Sequence, residues 1–167
     1  MIQFNVMTGQ LCIGPRLFSF VFGRDGYVDN AQGQEGDFKT PLGIYPARYG
    51  YYRADRLPTP KSRLTFHAIT DADGWCDDSG DMAYNLPVKR PYPARHERLM
   101  REDCAYDIIL VLGHNDDPII AGKGSAVFLH ICRIDQRPTA GCIAVTPDVM
   151  AALLPHLTPG GSIEITA

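Results

Sequence analysis

Residues 128–145 read FLHICRIDQRPTAGCIAV, and the rest of the chain is organised around them. His130 lies inside an apolar run, and Cys142 stands twelve residues later at the head of a second apolar run. The segment between the runs is polar and contains Pro138, which indicates a loop between two strands. Because the thiolate is the attacking form of cysteine, Cys142 needs a base to become a good nucleophile. Two neighbouring strands could bring thiol and base together.

Each of these residues also has an ordinary structural interpretation. A histidine in such a run is most often a hydrogen-bonded core residue, and Cys142 could be a buried small hydrophobic residue. Cys132, which shares a strand face with His130, could likewise be a packed thiol. The surroundings of Cys142 favour chemistry, because Gly141 allows close backbone approach and Thr139 adds a hydroxyl. A thiol flanked by backbone N–H groups, with a histidine on the next strand, has the parts needed for acyl transfer. Those parts are a nucleophile, a base and an oxyanion hole.

The composition suits a single ordinary domain spanning residues 1–167. The chain is 45% hydrophobic and 21% charged, and its net charge of −3 gives no general attraction to nucleic acid. Its 16 glycines and 13 prolines are spread throughout, which predicts short strands separated by many turns. We therefore expect a mainly β fold with one or two short helices.

Local patterns place the main elements. Residues 1–30 alternate in the manner of a β-meander, and the apolar run at residues 108–112 predicts a central strand. Good helix formers at residues 94–103 predict one helix. Thr-Pro-Asp at the start of residues 146–154 predicts another, with threonine as N-cap and proline at the first helical position. Residues 162–166 alternate as a final edge strand.

Several classes of site are not indicated. The five cysteines are an odd number without a disulfide framework or a Cys-x-x-Cys pair, and the acidic residues between 71 and 81 lack the closing glutamate of a calcium loop. We predict neither a metal nor a cofactor. The chain shows no signal-peptide pattern and no apolar stretch near the roughly 20 residues of a membrane span. Taken alone, this favours the cytoplasm or a chain whose export signal was removed.

A second informative segment is the loop at residues 31–46, which contains three glycines and two prolines and leads into a predicted strand. Its composition fits an ordinary hairpin connection. It also fits one wall of a binding cleft, because binding residues often lie on loops held by a rigid scaffold.

Several stretches of the chain, beginning with the one around His130 and Cys142, resemble a known family. His130 followed by Thr-Ala-Gly-Cys-Ile at residues 139–143 resembles the active-site signature of the L,D-transpeptidase catalytic domain, the YkuD-like family. Residues 35–43, EGDFKTPLG, resemble that family's EGD-x-x-TP-x-G segment. Three further stretches are similar to a compact subgroup: residues 75–78 with 84–85, residues 113–115, and residues 124–130. In order and spacing, the resemblance covers roughly residues 20 to 166.

The resemblance implies a β-sandwich-like fold with the cysteine in a cleft over a sheet. It implies that Cys142 attacks the amide between the diamino acid and the terminal D-amino acid of a peptidoglycan stem peptide, which forms a thioester. His130 would take the thiol proton and later protonate the leaving amine, and the N–H groups of Gly141 and Cys142 would hold the oxyanion. Thr139 matches the serine or threonine of the motif and, with His114, is expected to contact substrate.

Two departures leave the second half of the reaction open. Ala140 stands where many members have histidine, and Ala144 where many have arginine or asparagine. A substrate carboxylate would then need another cation, and Arg133 and Arg137 are the nearest in sequence, although both also fit surface loop arginines. An amine acceptor would give a cross-link or an exchanged D-amino acid. Water would give a carboxypeptidase or an amidase that acts on peptidoglycan-linked amides.

The resemblance also implies partners and a location. We expect peptidoglycan stem peptides as substrates, carbapenem-type β-lactams as acylating ligands, no nucleic acid, no membrane span and a monomer. The expected location is the periplasm or cell envelope, whereas the absence of a signal-peptide pattern leaves the cytoplasm open. Two other functions stay open as well: a non-catalytic peptidoglycan-binding module, and a cytosolic cysteine hydrolase that acts on another amide.

Overall fold

A computed structural model describes residues 2–167, which form thirteen strands and one α-helix, α1 (Pro147–Leu153). The expected mainly β fold is confirmed. In chain order the strands are β1 (Ile2–Asn5), β2 (Gln10–Ile13), β3 (Arg16–Ser19), β4 (Tyr27–Asp29), β5 (Thr40–Tyr52), β6 (Phe66–Ala68), β7 (Asp73–Cys76), β8 (Pro87–Lys89), β9 (His96–Arg98), β10 (Ile108–Leu112), β11 (Phe128–Ile131), β12 (Ile143–Val145) and β13 (Ser162–Thr166).

The long strand β5 belongs to both halves of a ten-stranded sheet. Its first part pairs with β13 and its second part with β10, in both cases antiparallel. The order across the sheet is β12-β11-β10-β5-β13-β1-β2-β3, with β4 and β6 also paired to β5. A second sheet of three strands has the order β8-β7-β9.

The large sheet curls until its two ends meet. β1, β2 and β3 form the predicted antiparallel meander. Beyond β3, two isolated bridges join Val21 to Ala144 and Gly23 to Thr139, next to the other end of the sheet at β12. Val21 and Ala144 exchange two backbone hydrogen bonds of 2.8 Å. The β-sandwich-like fold is thus closed beside the loop that precedes β12.

The main core lies between the two halves of this sheet and under α1. Phe4 and Leu11 come from one half, Leu110 and Leu129 from the other and Met150 from α1, and none of them is exposed to solvent. Each fully buried side chain of this kind stabilises the fold by about 1.5–3 kcal/mol. Because side chains alternate along a strand, the residues between them on β10 and β11 face the opposite side. That side carries the second sheet and a second apolar cluster.

The predicted helix at residues 94–103 is wrong. Its middle forms β9, which pairs with β7 so that Glu97 lies opposite Trp75. Leu99 is fully buried in the second cluster. Helix propensity is a weak preference, and here the ladder to β7 and the burial of Leu99 outweigh it.

The other C-terminal predictions had mixed outcomes. The helix after Thr146 is confirmed, and the Thr146 hydroxyl caps it by accepting the N–H of Val149 at 3.4 Å. A 3₁₀ turn, Leu154–His156, follows α1. The predicted edge strand at the C-terminus is β13, but it lies between β5 and β1, because the first strand of the chain covers its outer side. Within residues 2–167, no helix combines the length and the apolar character needed to span a membrane.

Candidate active site

A cavity of about 460 Å³ lies over the face of β11 and β12 that carries His130. Three segments contribute to its walls: residues 33–41, which lead into the start of β5, residues 123–127 before β11, and residues 133–142 before β12. The loop at residues 31–46 therefore forms a cleft wall, the second of the two interpretations that its composition allowed. Thiol and imidazole both line this one cavity.

Strand pairing brings His130 and Cys142 to one side of the sheet. β11 and β12 run parallel, with His130 beside Ala144. Two residues earlier, Cys142 lies beside Phe128, whose N–H donates to Sγ at 3.4 Å. Because alternate residues share a face, the two side chains are diagonal neighbours. Cys132 is buried beyond the end of β11, which agrees with its packing interpretation.

The geometry of His130 suits a neutral base. The residue is 7% exposed, and Nδ1 lies 2.8 Å from the carbonyl oxygen of Ile131. A carbonyl only accepts, so Nδ1 carries the proton and Nε2 is left as the acceptor. Burial lowers the pKa of the imidazole below its ordinary value of 6.5. At neutral pH the ring is therefore uncharged and able to take a proton.

The thiol of Cys142 is held in its protonated form. Sγ donates to the carbonyl oxygen of Ala126 at 3.0 Å. Burial raises the pKa of the thiol to about 12, and the negative charges of Glu97 and Glu35 act in the same direction. The resting pair is thus a neutral thiol and a neutral imidazole rather than a thiolate and an imidazolium. Proton transfer has to accompany the attack.

The loop before Cys142 is fixed by hydroxyl groups. The Thr139 hydroxyl donates to the carbonyl oxygen of Cys142 at 2.6 Å and accepts the N–H of Gly141 at 3.1 Å. The Thr40 hydroxyl donates to the carbonyl oxygen of Gly141 at 2.8 Å. Gly141 has φ of +135°, and a Cβ there would lie 2.9 Å from the carbonyl oxygen of Lys39. Glycine is required at this position.

These bonds bear on two sequence predictions. The N–H of Gly141, a predicted oxyanion donor, is engaged by Thr139 in the resting state. No residue in the range 2–167 accepts the N–H of Cys142, which leaves it available to an oxyanion. The Thr139 hydroxyl serves the shape of the loop, and its contact with substrate stays a prediction.

The remaining predicted residues lie at the rim and the far wall of the cavity. Arg133 and Arg137 have 46% and 72% of their side chains exposed, and both pair with Asp135. His114 is 4% exposed and packs edge-on against Tyr45, with ring centroids 5.6 Å apart. All three line the cavity, and their roles toward substrate stay predictions. Residues 2–167 contain no group of three or more His, Cys, Asp or Glu side chains arranged to hold a metal ion.

Sequence reasoning missed a group of polar residues next to His130. The ring of Tyr106 lies edge-on to that of His130, with centroids 5.2 Å apart, and its hydroxyl donates to Glu97 at 2.6 Å. The guanidinium of Arg101 lies 5.0 Å from the Tyr106 centroid. Tyr106, Glu97 and Arg101 all line the cavity. The wrong helix prediction concealed Glu97 and Arg101, and Tyr106 carried no motif.

Asn85 supports the other side of the thiol. Its Oδ1 accepts the indole N–H of Trp75 at 3.1 Å and the backbone N–H of Ala126 at 2.9 Å. Its Nδ2 donates to the carbonyl oxygens of His114 and Asn115 at 3.1 and 2.8 Å. Ala126 has φ of +48°, an uncommon conformation for a residue other than glycine. Asn85 thereby helps to hold the carbonyl that accepts the Cys142 thiol.

Replacing Asn85 by alanine is expected to destabilise the protein by about 2–4 kcal/mol, because four hydrogen bonds are lost, two of them to the buried residues Trp75 and His114. Denaturant unfolding would measure this change. Asn30→Ala, at an exposed asparagine, is the matched control and should change the free energy of unfolding by less than about 0.5 kcal/mol. Equal stability of the two variants would show that Asn85 does not support the site.

Three comparisons with known proteins complete the description. The family model of the L,D-transpeptidase catalytic domain, YkuD, matches residues 2–165. The crystal structure of Mycobacterium tuberculosis L,D-transpeptidase 1 is similar, with a TM-score of 0.46 and 14% sequence identity. The alignment covers all of this chain and 61% of that one, so the chain spans less than two thirds of its length. A search of curated proteins gives no significant match.

Proposed function

The chain belongs to the L,D-transpeptidase catalytic domain family, and from this premise we propose that it transfers acyl groups of peptidoglycan stem peptides through Cys142. Members of the family act on peptidoglycan. The observation that carries the proposal is the shared cavity, in which the Cys142 thiol and a neutral His130 lie on one face of the sheet. We propose that the chain acts as one catalytic domain and as a monomer.

The first step forms a thioester. The Cys142 side chain turns from the carbonyl of Ala126 toward Nε2 of His130, which takes the thiol proton as Sγ attacks the carbonyl carbon of the diamino acid. The Cys142 N–H donates to the oxyanion, and the Gly141 N–H joins it if the Thr139 hydroxyl releases it. The C–N bond then breaks, and His130 gives its proton to the leaving D-amino acid.

The second step releases the acyl group. An amine attacks the thioester carbon, His130 takes the proton from the incoming nitrogen, and that proton returns to Sγ as the C–S bond breaks. We propose an amine as the usual acceptor, with water giving the trimmed stem. Arg133 and Arg137 at the rim are the candidates for holding a substrate carboxylate, since Ala144 offers no cation.

Product analysis tests this proposal. The protein is incubated with purified muropeptides that carry tetrapeptide stems, with and without an added D-amino acid, and the products are identified by mass spectrometry. A cross-linked dimer or an exchanged stem would establish the transferase. A tripeptide alone would identify a hydrolase. Lack of any product and of any adduct on Cys142 would contradict catalysis and favour a peptidoglycan-binding module.

The proposed substrate also bears on location. Family members typically act in the cell envelope, where peptidoglycan lies. We propose the same location for this chain. Fractionation of cells that express the native gene, followed by immunodetection, would test it, and recovery only with the cytoplasmic fraction would contradict it.

A further inference from the structure

We infer that Tyr106, anchored by Glu97, is a positioning residue that fixes the ring of His130 for proton transfer. The inference rests on the proposed function, because it assumes that His130 is the base for Cys142. It concerns residues that the active-site signature does not contain. Their role follows from four contacts around the two rings.

Apart from Tyr106, the His130 ring is oriented by backbone carbonyls and not by a side chain that accepts a hydrogen bond. The hydrogen bond with a short distance runs from Nδ1 to the carbonyl oxygen of Ile131, the next residue in the chain, at 2.8 Å. No carboxylate in residues 2–167 forms an ion pair or hydrogen bond with the ring. Nucleophile and base pairs generally use a third group to orient the base. Here backbone carbonyls fill that place: Ile131 accepts from Nδ1, and the carbonyl of Ala105, the residue before Tyr106, also acts on the ring and raises the pKa of His130.

Tyr106 supplies the missing constraint. Its ring meets the imidazole at 80° with centroids 5.2 Å apart, which is a preferred edge-to-face geometry for aromatic pairs. Tyr106 is 5% exposed, so the contact is shielded from water. An aromatic ring packed against the imidazole in this geometry restricts rotation of the imidazole about its bond to the chain. Nε2 therefore keeps one direction relative to Cys142.

Tyr106 is itself held on three sides. Its hydroxyl donates to Oε1 of Glu97 at 2.6 Å, and the guanidinium of Arg101 lies 5.0 Å from its centroid. Phe128, beside Cys142 in the sheet, meets the Tyr106 ring at 80° with centroids 6.1 Å apart. Glu97 comes from β9, and Phe128 from β11. The small sheet thus fixes a ring that in turn fixes the base.

Charged residues near His130 and Cys142 also shift the pKa values of both groups. Burial has the largest effect on the pKa of His130 and lowers it, the carbonyls of Ile131 and Ala105 raise it, and smaller effects come from Arg101, which lowers it, and Asp103, which raises it. The carboxylate of Glu97 raises the pKa of the Cys142 thiol. Glu97 reaches His130 only through Tyr106. Removal of the Tyr106 ring should loosen the imidazole, because the ring contact is lost. It should also admit water, because the buried space beside His130 opens.

The experiment compares Tyr106→Phe, which keeps the ring, with Tyr106→Leu, which removes it. Acylation of Cys142 by a carbapenem is followed by mass spectrometry across carbapenem concentration and pH. The Phe variant should lose only a fewfold in maximal acylation rate, and the Leu variant about 10-fold to 100-fold. The half-saturating concentration is measured separately, because Tyr106 also lines the cavity and a loss of carbapenem binding has to be distinguished from a slower maximal rate.

The pH profile separates positioning from a general structural defect. Burial lowers the pKa of His130, so water entering beside the ring should raise it toward 6.5. The acidic limb of the Leu variant should therefore shift to higher pH, whereas the Phe variant should keep the limb of the unmodified protein. A folded Leu variant with an unchanged rate and profile would overturn the inference. If it does not fold, Tyr106→Met replaces it, and misfolding of both variants would count against a positioning role.

A second probe separates this inference from the proposed function. Alkylation of Cys142 by iodoacetamide, read at that site by peptide mass analysis, reports on the thiol and its base without a β-lactam. Slower alkylation in the Leu variant would support the inference even if carbapenem and muropeptides failed to react with the unmodified protein. Equal alkylation rates in all three proteins would overturn it.

Discussion

Replacing Cys142 by alanine is expected to abolish acylation by a carbapenem and all turnover of muropeptides. The thiol is the only nucleophile that we assign to the reaction, and without it no thioester can form. General base catalysis and positioning cannot compensate, because both act on the missing sulfur. Intact-protein mass spectrometry should show one adduct on the unmodified protein and none on Cys142→Ala.

Two further variants make this result specific. Cys132→Ala removes a buried thiol outside the cavity lining and should keep the adduct and the turnover. Cys142→Ser keeps the size of the side chain but offers a much weaker nucleophile, so it should fold normally and fail to react at a measurable rate. An undiminished adduct on Cys142→Ala would show that another residue is acylated, and the proposed mechanism would be abandoned.

Replacing His130 by asparagine is expected to lower the maximal acylation rate by about 100-fold to 10,000-fold, the usual range for a general base. The effect should be large because burial raises the pKa of the Cys142 thiol to about 12, so spontaneous thiolate is scarce at neutral pH. His156→Asn, at an exposed histidine, is the control and should react like the unmodified protein. Equal rates for the two variants would exclude His130 as the base.

The pH dependence of the unmodified protein gives a further readout of the same residue. Only neutral imidazole can take the thiol proton, and burial lowers the pKa of His130 below 6.5. Activity should therefore rise as pH increases through that lowered pKa and be complete at pH 7. A rise centred above pH 7 would contradict a buried neutral base. In His130→Asn the acidic limb should disappear.

The sequence was informative where burial follows a local pattern. The apolar runs of β10 and β11 predict central strands, since a strand buried on both faces reads as a continuous apolar run and these runs are too short for a typical helix. The spacing of His130 and Cys142 predicts a loop between adjacent strands, and the structure places both residues in one cavity. The glycine and proline content likewise predicts the many short strands.

The sequence was least informative where pairing is non-local. The small sheet depends on ladders such as Trp75 with Glu97, which no local pattern specifies. The helix formers at residues 94–103 therefore predict a helix where the structure has β9. The contact between Glu97 and Tyr106 depends on that sheet, so it could not be predicted without it. Arg133 and Arg137 were chosen for nearness in sequence, whereas Arg101 lines the same cavity from 32 residues before Arg133.

The closure of the sheet has a consequence for folding order. β1 pairs with β13, and Val21 bridges Ala144, so the first and last parts of the chain meet beside the catalytic loop. Contacts between residues so far apart in sequence form late and slowly, because the intervening chain has to be ordered first. During synthesis, β1 can pair with β2, but its other edge has no partner until β13 has left the ribosome, and Val21 has none until β12 has. The loop that carries the thiol therefore takes its final shape only after the two ends of the large sheet have joined.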